Sequence, residues 1–175
     1  MALLEVLTFP DPVLRAENAP VTTFDEEFRQ LVQDMAETMY ANDGIGLAAP
    51  QVGVNINLII LDVGPGEERG RHLLALANPK IIDGDGAIEW DEGCLSLPEV
   101  TVRMQRHAKV TIAYQDPDGN DMEIEGDELL AVALQHEMDH LKGQLLIDYL
   151  PPLKRRLVTK ELKRIKEHGP DEYED

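Results

Sequence analysis

Between residues 55 and 126 the chain reverses direction too often to be helical. Short apolar or β-branched runs at 57–61, 73–77, 87–90, 100–104 and 109–114 alternate with Gly64-Pro65-Gly66, Asp83-Gly84-Asp85-Gly86 and Asp116-Pro117-Asp118-Gly119-Asn120. Such glycine, proline and aspartate clusters favour tight turns. The connections are too short for crossover helices, so the runs must pair as antiparallel hairpins. Helical spacing appears on either side. After Thr22-Thr23, whose hydroxyls could cap a helix, Phe24, Phe28, Leu31, Val32, Met35 and Met39 form one apolar stripe that stops near Asn42-Asp43-Gly44. Asp127 can cap a second helix running to about Leu141, with Gly143 as its stop. Leu145-Leu146-Ile147 reads as one further strand, and Pro151-Pro152 breaks the chain before a third helix at roughly 153–167. The expectation is an α+β fold: antiparallel β-sheets around a central helix, with an N-terminal and a C-terminal helix. Residues 1–150 would form a single catalytic domain, with 151–175 a basic helix and acidic tail belonging to the same domain.

The central helix carries His136-Glu137-Met138-Asp139-His140. Residues four apart share a helix face, so both imidazoles can meet one metal ion, and Glu137 beside the first can act as a general base on a water there. A surface helix with two histidines is the bland alternative. Leu129, Leu130, Val132, Ala133, Leu134 and Leu141 around the motif argue against it, because ionisable groups on a half-buried helix are costly without a partner.

A catalytic site needs a third protein ligand and an open position. A histidine six residues after His140 would supply it in one protease pattern, but position 146 is Leu. Downstream glutamates, Glu161 and Glu167, lie beyond Pro151-Pro152 in the basic segment. The one cysteine of the chain, Cys94 in Glu92-Gly93-Cys94-Leu95-Ser96, remains. Thiolate with two imidazoles suits iron or zinc and leaves the fourth position free. A nucleophilic Cys94 with His107 or His72 as base finds no support in the spacing. The third stretch, Gly44-Ile45-Gly46-Leu47-Ala48-Ala49-Pro50-Gln51, reads either as a tight packed turn or as a loop whose backbone pairs with an extended peptide. In the second case Gln51 could present its amide to a developing oxyanion.

These three stretches, in this order, resemble the peptide deformylase family: Gly44 to Gln51, Glu92 to Ser96, and Gln135 to His140. The flanks Phe9-Pro10-Asp11-Pro12-Val13-Leu14-Arg15 and Asp148-Tyr149-Leu150 are similar as well. The resemblance implies hydrolysis of the N-terminal formyl-methionine of new polypeptides, with release of formate. It implies one divalent metal ion per chain on Cys94, His136 and His140, typically Fe2+, with Zn2+, Ni2+ or Co2+ able to substitute. Glu137 would move the proton, and the Leu95 N–H and Gln51 amide would hold the oxyanion. Ile45, Gly46 and Gly93 would contact the peptide backbone, and the methionine side chain would enter a pocket of Ile45, Trp90, Leu129, Val132, Ala133 and the edge of His136. Glu92 would pair with Arg106. A metalloprotease with another third ligand is the competing reading.

Charge is unevenly spread. The net charge is −18; residues 1–150 hold 9 Lys/Arg against 28 Asp/Glu, while 151–166 hold 7 basic residues against Glu161 alone. The acidic body disfavours general nucleic-acid binding. The basic segment, with Lys154, Arg155, Arg156, Lys160, Lys163, Arg164 and Lys166, is either a solvated helix face or, as in family members with a helical C-terminus, a dock on the ribosome near the exit tunnel. No apolar run approaches the ~20 residues of a membrane span, and the start lacks a basic n-region, so a cytoplasmic protein is expected.

Overall fold

The computed structural model describes residues 3–169; most of the acidic tail, residues 170–175, lies outside the described residues. In chain order the elements are α1 (Glu26–Ala41), β1 (Gly46–Ala48), β2 (Leu58–Leu61), β3 (Leu74–Asp85), β4 (Ile88–Cys94), β5 (Leu97–Arg106), β6 (Lys109–Gln115), β7 (Asp121–Asp127), α2 (Glu128–Leu141) and α3 (Pro152–His168), with short 3-10 turns between them. One five-stranded antiparallel sheet has the order β1-β2-β3-β6-β7, and β4 pairs with β5 as a separate hairpin.

Strand β2 explains how the layers stack. Its four residues Leu-Ile-Ile-Leu are all buried, because both faces of the sheet are covered there. Leu58 and Ile60 pack with Val32, Met35 and Met39 of α1, while Ile59 and Leu61 pack with Ala131, Leu134 and Met138 of α2. Alternating side chains point to opposite faces, so one short apolar run serves both helices. A third cluster joins Leu97, Val102 and Met104 of the hairpin to Leu146, Ile147 and Leu162, seating α3 against β5.

Three local expectations are corrected. Asp83, Gly84 and Asp85 make no turn: they are the last residues of β3, paired with Thr111, Val110 and Lys109 of β6. The N-cap of α1 is Asp25, whose carboxylate accepts from the Phe28 N–H at 3.0 Å, rather than Thr22 or Thr23. A carboxylate three residues ahead satisfies the first free N–H and favours the helix dipole. Leu145-Leu146-Ile147 forms no strand; Leu146–Tyr149 is a 3-10 turn. Asp148 folds back to accept the Leu145 N–H at 2.9 Å and is held by Arg15 at 2.9 Å, so the apolar residues point into the core from a turn. Asp127 does occupy the N-cap of α2, but its side chain makes no capping bond.

Helix α2 ends one residue after His140, and just beyond its C-cap Gly143 takes φ +72 against the backbone of Arg15. An added Cβ would lie 3.2 Å from the Arg15 carbonyl oxygen. Gly143→Ala should therefore cost at least about 1–2 kcal/mol, the penalty for an L-residue in the left-handed region. Chemical denaturation of the two proteins measures it.

Candidate metal centre

The site forms where the hairpin meets α2. Gly93 still pairs with Thr101, yet Cys94 pairs with Leu97, so β5 carries extra residues opposite one step of β4. Pro98, which has no N–H to donate, and Glu99, at φ +64, occupy that bulge. Bulges redirect side chains, and this one accompanies the tight return at Leu95-Ser96 that brings Cys94 to face α2.

The Cys94 sulfur and one ring nitrogen each of His136 and His140 lie within 4.8 Å of one another. The sulfur stands 3.3 Å from His140 Nε2. Glu161 and Glu167, on α3, do not belong to this group. Around the three donors the chain builds a set of oriented partners. Glu92 Oε1 accepts from His136 Nδ1 at 3.0 Å, which leaves Nε2 free to ligate. Glu92 is itself gripped by both arms of Arg106, at 2.9 and 2.8 Å. The third arm of Arg106 reaches Asp139 at 2.7 Å, and the Tyr149 hydroxyl donates to the same carboxylate at 2.9 Å. The Gln51 amide is equally constrained: its oxygen accepts from the Ala48 N–H at 2.9 Å, and its nitrogen donates to Ser96 Oγ at 3.0 Å and points to the Cys94 sulfur at 3.5 Å.

Glu137 lies against Gly46, where an added Cβ would stand 2.9 Å from its carboxyl carbon. Only glycine leaves room for that carboxylate. Among the described residues, Glu137 Oε1 and His140 Nδ1 are the buried side-chain atoms with no hydrogen-bond partner. Orphaned buried polar atoms are rare and concentrate where a ligand or reactant completes the set. Burial pushes the Glu137 carboxyl up to about 7, against the opposing charges of His136 and Arg106. Burial also opposes charge on His136, yet Glu137, Cys94 and Glu92 outweigh it and hold its pKa well above the ordinary value. Burial and the neighbouring His136 and Arg106 push His140 well below. One imidazole is thus drawn towards its charged form, while the other is held in the neutral form in which an imidazole can ligate a metal.

An open cleft of about 510 Å³ leads to these groups. Its lining includes Ile45, Gly46, Gln51, Trp90, Gly93, Cys94, Leu95, Leu129, Val132, Ala133, His136 and Glu137. His140 lies behind them, buried. The sequence reading missed the β5 side of the cleft, Leu97 and Glu99 to Thr101, whose residues became neighbours only through the bulge. It also missed Ser96 as the anchor of Gln51, and Asp139 and Tyr149 as supports of Arg106. A buried serine beside Cys94 carries no such signal in a sequence.

The family model for polypeptide deformylase matches residues 3–156. This chain belongs to the peptide deformylase family. It is 48% identical over 165 residues to a peptide deformylase of Syntrophobacter fumaroxidans, covering 94% of this chain and 96% of the relative. A crystal structure of a peptide deformylase from Legionella pneumophila superposes with a TM-score of 0.87 at 40% identity, covering 97% of this chain and all of the other. The peptide deformylase of Ehrlichia chaffeensis in complex with actinonin gives 0.87 at 37% identity, covering 96% and 99%. The deformylase fold is thus shared over nearly the whole chain.

Glu92 links the orientation of His136 to acid stability. Burial alone would raise its pKa, but the Arg106 and His136 hydrogen bonds outweigh that and hold it below the ordinary 4.5. Because the folded value is depressed, the stabilisation is complete above about 4.5 and is lost as pH falls through the lower folded value. Glu92→Gln should melt below the parent at neutral pH, with the gap closing as pH falls below 4.5 through the lower folded value. Chelator competition should show metal affinity reduced roughly 10–100-fold, as when other outer partners of a ligating histidine are lost.

Proposed function

We propose that the deformylation carried out by this family runs in this chain on one divalent ion held by Cys94, His136 and His140. The chain is a hydrolase that removes the formyl group from the N-terminal formyl-methionine of newly made polypeptides and releases formate. The observation that carries the site assignment is the Glu137 carboxylate, buried and partnerless at Oε1, beside the three donor atoms and against Gly46. A bound ion supplies Lewis-acid chemistry, lowering the pKa of a water and polarising the formyl group.

The remaining steps fall to the chain's own residues. Glu137, with a pKa near neutrality, takes the proton from the attacking water and returns it to the leaving amine nitrogen. The Leu95 N–H and the Gln51 amide donate to the oxygen on which negative charge develops; Gln51 is preorganised because its other bonds fix its plane. The substrate lies extended beside the free edge of β1, with backbone contacts at Ile45, Gly46 and Gly93. Its methionine side chain enters the apolar wall of Ile45, Trp90, Leu129, Val132 and Ala133, with the edge of His136 at its base. Ferrous iron is the preferred ion, with zinc, nickel or cobalt as substitutes, since thiolate with imidazoles accommodates all of them.

Helix α3 belongs to the same single domain as the catalytic part, and it serves as a ribosome dock near the nascent chain. Lys154, Arg156, Lys160 and Lys163 are exposed along it, as are Leu153 and Leu157. A cationic face on an acidic body suits ribosomal RNA, and among the described residues no helix is long and apolar enough to cross a membrane. The proposed location is the cytoplasm.

Anaerobically purified protein should carry one metal per chain and release formate from a formyl-methionyl dipeptide. Metal without formate would defeat the assignment. Glu137→Ala should keep its metal and lose roughly 10²–10⁴-fold in kcat, whereas Cys94→Ala should lose the metal itself. Cosedimentation with ribosomes should weaken steeply with salt and disappear when the exposed lysines of α3 are replaced by glutamate.

A further inference from the structure

The segment that leads into the free edge of β1 begins at Gly44, and three hydrogen bonds locate it. The Gly44 N–H donates to the Met39 carbonyl at 2.9 Å, and the Asp62 N–H donates to the Ile45 carbonyl at 2.8 Å. Those two come from the end of α1 and from the neighbouring strand. The third is of another kind: the Arg69 guanidinium donates to the Gly44 carbonyl. Arg69 sits on the connection between β2 and β3, whose only regular element is a 3-10 turn at Gly66–Glu68.

That connection is held by a network separate from the metal site. The Asp62 carboxylate, with a residue exposure of 0%, accepts from the Gly64 N–H at 2.9 Å and the Gly70 N–H at 2.7 Å, so it gathers both ends of the loop. The Tyr40 hydroxyl donates to the same carboxylate at 2.7 Å, and the Arg69 guanidinium lies 5.0 Å above the Tyr40 ring. Asp62 thus fixes Tyr40, Tyr40 offers a face to Arg69, and Arg69 reaches the cleft wall. None of these groups touches the three metal donors or belongs to the roles assigned above.

The wall needs such a restraint. Gly44 and Gly46 flank Ile45, and glycines allow the backbone wide freedom. Gly46 cannot be exchanged for a stiffer residue, because Glu137 occupies the space of its side chain. A shift of this segment would lengthen and misalign the backbone hydrogen bonds that an extended peptide makes with it, which weakens binding of the peptide.

We propose that Arg69 is a positioning residue for the substrate: by clamping the Gly44 carbonyl it fixes the segment that leads into the free edge of β1, so that the extended peptide finds its backbone partners preformed. The inference rests on the reading of β1 as the peptide-binding edge. A charged donor on a carbonyl is among the stronger hydrogen bonds, and the peptide feels the wall equally in the ground and transition states, so its loss falls on KM.

The test compares wild type, Arg69→Ala and Arg69→Lys, each metal-loaded, on a formyl-Met-Ala-Ser tripeptide. Wild-type formate release checks the parent reading independently. Arg69→Ala should raise KM about tenfold with kcat changed less than about twofold and metal content unaltered, and Arg69→Lys should recover part of the loss. An unchanged KM, or a loss confined to kcat, overturns the proposal. If the alanine variant does not fold, Arg69→Lys decides: it keeps a charge and a donor but not the fork over Tyr40. An increase in its KM of about threefold or more upholds the clamp, and a wild-type KM refutes it.

Discussion

The Arg106 guanidinium holds the site's two halves together. It comes from β5, takes Glu92 of β4 with two donors and Asp139 of α2 with a third, and lies 5.7 Å over the Tyr149 ring. Burying one carboxylate without a partner is strongly unfavourable, and here two carboxylates share one cation in a largely dry setting. Glu92 can then hold His136 by its outer nitrogen, so the hairpin that carries Cys94 and the helix that carries the histidines are joined twice. The same cation, through Asp139 and Tyr149, brings the turn before α3 into register with the metal helix.

Around that cation the fold solves a conflict of environments. Helix α2 must be apolar enough to pack Ala131, Leu134 and Met138 against the sheet, yet it presents His136, Glu137 and His140 on its other side. Hydrophobic burial positions the helix, and the orphaned Glu137 Oε1 that results belongs to a residue lining the cleft. The low dielectric that makes these groups costly also raises the Glu137 pKa to about 7, where a proton can be taken and returned. Stability is given up locally and recovered in the three apolar clusters.

The cleft walls come from an edge and a bulge. Strand β1 is the open edge of the five-stranded sheet, and the β4–β5 hairpin stands apart from that sheet. An exposed edge is a hazard in most proteins, but a short one bordering a cleft offers its free backbone groups to a peptide. Asp62, Tyr40 and Arg69 form a hydrogen-bonded network that reaches Gly44, just before that edge.

Much was legible in the sequence because it depends on local rules. The turn at Asp116 to Asn120 marked the β6–β7 hairpin, although Asp83 to Asp85 continue β3 instead of turning; helical spacing marked α1 and α2, and His136 with His140 shares a face on any α-helix. Elimination of Leu146, Glu161 and Glu167 pointed to Cys94 before any contact was known. Local rules failed where two segments compete for the same residues: Leu145 to Ile147 look like a strand, but Asp148 and Arg15, far apart in sequence, bend them into a turn. The partners of Arg106, the Ser96 anchor of Gln51 and the Arg69 clamp on Gly44 span separations of 14 to 45 residues, and no periodicity encodes them. Sequence by itself determined which chemistry the chain holds. Only the tertiary structure decided which groups orient it, because hydrogen bonds between distant segments exist only after hydrophobic burial has brought those segments together.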